Sequence, residues 1–116
     1  MTAPARSAAT ADEELAFVPT GTILSPLVFA DGRLANYARF EVQLQVPAEQ
    51  VETVTARLPL LLNAINLQTD RTPLAVGLDG QIPDLERFRR VVAGAADDSL
   101  GRGTVRRVAI TQARPE

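Results

Sequence analysis

The sequence predicts an α+β domain, an antiparallel sheet with helices on one face. Three observations carry this. From Leu34 to Val46 apolar and polar residues alternate with period two, the mark of a strand with one dry and one wet face. Two later segments, beginning at Val51 and Leu85, repeat apolar residues at helical spacing instead. The last run, "TVRRVAITQ" at 104–112, returns to a strand pattern. The order strand, strand, helix, helix, strand suits a sheet whose helices share one side.

The chain has 116 residues, the length of one domain rather than two. Apolar residues make up 46% and aromatics 4%, so a core is affordable and must be mainly aliphatic. Residues 1–15 are small, polar and acidic and read as a flexible tail or linker. They contain no hydrophobic stretch of the signal-peptide kind. The domain is expected over 16–112, with "ARPE" at 113–116 as a second tail.

The first element is "AFVPTGTILSPLVFA". Pro19, Gly21 and Pro26 interrupt it, and a proline cannot donate to a ladder, so an edge or bulged strand is expected. Asp31-Gly32 then signals a hairpin. In the next strand Ala38, Phe40, Val42, Leu44 and Val46 face the core, while Arg39, Glu41, Gln43 and Gln45 face water. Its length from Leu34 to Val46 predicts a strong twist or a bend. Pro47 ends it.

Val51, Val54, Leu58, Leu61, Leu62 and Ile65 share one helical arc. Leu60, Ala64 and Leu67 fall on the opposite side, and Pro59 should kink or split the helix. Residues 68–83 read as a loop in which Leu74–Val76 can add a short edge strand. Asp84 is a good N-cap. Leu85, Phe88, Val91, Val92 and Ala95 form the next apolar stripe, with Glu86 and Arg90 as an i,i+4 pair. Gly94, in the interior of that helix, implies close packing or local bending. Gly101 or Gly103 can stop the helix. In the final strand Val108 and Ile110 point inward, with Arg106 on the same face.

Composition narrows the chemistry. The chain contains no Cys and no His, which removes thiol catalysis, the usual transition-metal ligands and the commonest acid–base group. Every basic residue is Arg, so a Ser–Lys pair is excluded for Ser7, Ser25 and Ser99. Asp97-Asp98 lacks a third ligand nearby in sequence, and "GRG" at 101–103 precedes no helix. Glu41 on the wet face reads as a cross-strand partner rather than an acid catalyst. No catalytic, cofactor-binding or metal residue is assigned, and no enzyme activity is expected. The net charge is −2, but from Leu85 onward seven Arg face four acids. Tyr37 is the one aromatic of exposed type, so a stacking platform for single-stranded nucleic acid is missing. No nucleic-acid partner is expected.

"FVP…SPLVFADGR", "ARFEVQLQVP", "ARLPLLLNAI", "DLERFRRVVAGAADDSLG" and "VRRVAITQ" together resemble the periplasmic domain of flagellar basal-body-associated FliL proteins, especially the divergent alphaproteobacterial ones. The resemblance runs from about Phe17 to Gln112. It implies an α+β fold similar to stomatin-like (SPFH) domains. It also implies a periplasmic domain held at the inner membrane by an N-terminal helix that this chain does not contain. The partners implied are flagellar stator and basal-body proteins and further copies of the chain, in support of motility. Leu62 and Asn63 stand where the family often carries a basic–acidic pair. Leu60, Leu67, Arg87 and Arg90 are the candidate partner-interface residues. The alternative is an Arg-surfaced α+β module that binds an anionic ligand.

Overall fold

The structure is a computed structural model that describes residues 14–115 except Leu78 and Gln81. The N-terminal tail expected over 1–15 lies, up to residue 13, outside the described residues, as does Glu116. Leu15 already belongs to the first strand, and the Ala48 amide donates to the Glu14 carbonyl at 2.9 Å.

Strand β1 (Leu15–Val28) and strand β2 (Leu34–Pro47) form a long antiparallel hairpin, and β5 (Arg107–Pro115) pairs antiparallel with β2 on the other side. The sheet order is therefore β1-β2-β5. A strand of 14 residues spans about 46 Å, which sets the long axis of a body measuring 58 × 26 × 20 Å. A 3₁₀ turn (Ala48–Gln50) leads to helices α1 (Val51–Ala56) and α2 (Leu58–Thr69). Two short strands, β3 (Ala75–Val76) and β4 (Ile82–Pro83), precede helix α3 (Leu85–Leu100).

The predicted α+β architecture is present. Val18, Ile23 and Leu27 of β1, Phe40 to Val46 on alternate positions of β2, and Val108 of β5 form one buried cluster with Val54, Leu61, Ile65, Phe88 and Val92 of the helices. Phe40 and Phe88 stack with centroids 3.8 Å apart, joining the central strand to α3. The helices cover this face alone. Arg39 and Glu41 on the other face are exposed.

The ladder is interrupted on both sides of β2 at the same level. The register slips between Pro19 and Thr22 on one side and opposite Glu41/Val42 on the other. Each flanking strand inserts one extra residue there. The hydroxyls of Thr20 and Thr111 donate to the Val42 and Glu41 carbonyls at 3.2 and 3.1 Å. The extra residue reverses the phase of β1. Val18 and Thr20 face inward before it, and Ile23, Ser25 and Leu27 after it.

Of the two outcomes expected at Pro59, a kink or a split, the structure shows the split, and a new helix opens there; several other expectations need correction. Arg57, at φ −99° and ψ 4°, ends α1 and begins α2, and Pro59 occupies the first turn, where its missing N–H had no intrahelical partner to lose. The break shifts the phase, so Ala64 packs against the core instead of joining Leu60 and Leu67. Ala75–Val76 does not extend the main sheet; it pairs with Ile82–Pro83 as a separate ladder. The segment expected as a C-terminal tail, 113–115, continues β5, with Ala113 opposite Phe40 and Pro115 opposite Ala38. Glu86 pairs with Arg89 rather than Arg90.

Candidate interaction surfaces

Leu60 is 61% exposed and Leu67 53%, whereas Leu61 and Ile65 are fully buried and Leu58 is half-buried. The two exposed leucines are seven positions apart, hence on one helix face and about 10.5 Å apart along it. The core already holds the other side of α2, so this face is free to meet another molecule.

Arg87 and Arg90 lie together on α3. They line a groove of about 330 Å³ with Gln68 of α2 and Gly94 and Asp98 of α3. Gln68 follows Leu67 directly, so the groove adjoins one end of the exposed α2 face; Leu60 does not line it. Arg87 has internal duties. Its guanidinium donates to the Pro73 carbonyl at 3.0 Å and sits 3.8 Å from Asp84. Asp84 accepts from the Arg87 amide at 3.0 Å, the expected N-cap. Arg87 thus pins the loop before α3, and Arg90 is the better placed of the two for a partner. Gly94 does not pack closely: a Cβ built there meets no atom within 4 Å. It widens the groove.

Sequence reasoning missed a further apolar surface. Phe17 and Leu24 of β1 are 47% and 51% exposed, on the sheet face away from the helices, as is Tyr37 of β2. Phe17 is therefore a second exposed aromatic. The phase reversal hid it, because Phe17 and Leu24 share a face only once the extra residue is counted. Phe17 lies opposite Gln45, and Tyr37 is eight residues away along β2, roughly 26 Å, so the two rings form no joint stacking platform.

The acidic groups of Glu41, Asp97 and Asp31 are committed to local structure. Glu41 takes part in a cross-strand chain, with the Gln112 amide nitrogen 3.0 Å from Glu41 Oε2 and its oxygen 3.3 Å from Arg114 Nε. Asp97 Oδ1 accepts from the Gly103 amide at 3.2 Å, tying off the turn after α3. Gly101 enters that turn at φ +102°. In the hairpin, Asp31 accepts from the side chain and the amide of Arg33 at 2.7 and 3.0 Å. The side-chain bond, then the amide bond, holds its carboxyl below the ordinary range. Among the described residues no group of three or more acids could share a metal ion, and no helix is long and apolar enough to cross a membrane.

The geometry defines an α+β domain with exposed apolar side chains on α2 and on the open sheet face. A scan of protein-family models and a search of curated proteins give no match to this chain.

Proposed function

We propose that this domain is a non-catalytic assembly module of the FliL type, supporting flagellar motor function by self-association and by contact with stator or basal-body proteins. The observation that carries the reading is the exposed pair Leu60 and Leu67 on a helix whose other face is wholly committed to the core. Full burial of a leucine side chain contributes about 1.5–3 kcal/mol, and a symmetric or ring-like arrangement repeats that gain at every interface. The flagellar setting, the periplasmic location and the inner-membrane anchor rest on the resemblance of the packing segments between Phe17 and Gln112.

Sedimentation velocity on the purified chain tests the assembly. The wild type should form a discrete oligomer, and Leu60→Asp with Leu67→Asp should yield a folded monomer. Expressed in a flagellated host, the same pair of substitutions should reduce swimming-halo diameter. An unchanged oligomer and unchanged swimming would remove both leucines from the interface.

A further inference from the structure

The sheet ends in two edges, and they are built differently. β1 carries Pro19, Pro26 and an inserted residue, devices that prevent a further strand from pairing. β5 has no proline before Pro115, and among the described residues no strand pairs with its outer side.

A groove of about 590 Å³ lies along that outer side, lined by Arg89 and Ala93 of α3 and by every residue from Val105 to Ile110. A groove on one face of a strand would be lined by alternate residues, because side chains alternate. Val105 and Arg106 precede the strand, and the four successive β5 residues 107–110 mean that the groove follows the edge, where alternate backbone N–H and C=O groups of β5 point outward. Its charge is one-sided. Arg89, Arg106 and Arg107 line it and no acid does. Arg89 is paired with Glu86 and Arg106 with the Gly103 carbonyl.

We propose that the β5 edge binds an extended acidic segment of a partner protein as a fourth strand. The partner's main chain pairs with 107–110, small apolar side chains on one face settle against Ala93 and Val105, and carboxylates meet the arginines. This is strand addition, in which the backbone supplies affinity and the side chains supply selectivity. Charge argues against a second copy as the occupant. An antiparallel β5 from another molecule would bring Arg106 and Arg107 towards Arg114, and like charges across strands repel. The β1 edge of another molecule is blocked by its prolines. The inference does not depend on assembly through α2.

The probe is a fluorescein-labelled peptide, Glu-Val-Glu-Ala-Glu-Val-Glu, followed by anisotropy and by amide chemical shifts of the chain. Saturable binding is expected, with shifts concentrated over 105–110. The same peptide N-methylated at every backbone nitrogen keeps its side-chain charge but can donate no strand hydrogen bond from either edge. Two lost bonds predict binding weaker by about tenfold. Arg107→Glu, at an exposed position, should weaken the unmodified peptide by a similar factor, and Arg107→Lys should restore most of it. Equal binding of the N-methylated peptide would overturn the proposal in favour of a nonspecific anion surface. So would shifts on α2 or the open sheet face instead of β5. Loss of the chain's own oligomer in Arg107→Glu would make this edge a contact between copies and would equally overturn it.

Discussion

Two threonine hydroxyls hold the sheet together where its ladder is interrupted. Thr20 is 5% exposed and donates to the Val42 carbonyl from the inserted segment of β1. Thr20→Val keeps the shape but removes the donor, and should cost about 1 kcal/mol, whereas Thr20→Ser should retain most of the stability; urea unfolding distinguishes them. Gly80 is a second pressure point. It sits at φ +69°, and a Cβ there would fall 2.6 Å from both Phe29 Cζ and Ala35 Cβ. The β3–β4 loop therefore docks on the turn end of the long hairpin through a residue without a side chain. Gly80→Ala should destabilise by about 2 kcal/mol from overpacking and backbone strain, lowering Tm by about 10 °C. Asp31 gives a pH signature. Its folded pKa lies below the ordinary 3.8, so its contribution is complete above that value and disappears as pH falls through the lowered one. A carboxyl ¹³C titration should place the Asp31 midpoint lower in the folded chain than in the urea-unfolded chain, and Arg33→Ala should bring it back up.

At the scale of elements, what was legible followed periodicity and what was hidden followed its interruptions. The alternation from Ala38 to Val46 marks β2, and the Phe88, Val92 and Ala95 stripe together with Asp84 marks α3 and its start, whereas Leu85, expected in the same stripe, is 43% exposed in the first turn. Both patterns record burial on one face, which a sequence preserves directly. β1 was readable only as an interrupted strand, because one inserted residue reverses which side chains share a face, and that reversal concealed Phe17 and Leu24. β5 was cut short at Gln112 for the same reason: beyond the extra residue opposite Glu41/Val42, the inward position moves to Ala113. Leu60 and Leu67 were identifiable from the helical wheel alone, but the groove that gathers Arg87, Arg90 and Gln68 depends on how α2 lies against α3, which no local pattern encodes. Gly94 shows the limit of local reasoning most plainly. A glycine inside a helix suggested tight packing, yet its surroundings are open. Gly94→Ala should therefore raise stability by about 0.5–1 kcal/mol, read as an increase in Tm, while narrowing the groove beside Arg90.

At the scale of the whole molecule, the two proposed contacts occupy different elements and rest on different physics, so one variable should separate them. The α2 face offers Leu60 and Leu67, and association there would be driven by removing apolar surface from water, which added salt does not screen. The β5 edge offers Arg89, Arg106 and Arg107, and part of its affinity would come from charges near the surface, whose interactions fade beyond a Debye length of about 10 Å at 0.1 M ionic strength and shorter at higher salt. Raising sodium chloride from about 50 mM to about 300 mM shortens that length more than twofold. Oligomer mass measured by sedimentation should hold constant over this range, while affinity for the acidic peptide at β5 should fall several-fold without vanishing, because the backbone pairing remains. An oligomer that dissociates with salt would move self-assembly from the leucines of α2 to the arginines. A peptide affinity that ignores salt would leave the β5 arginines without a role in choosing the partner.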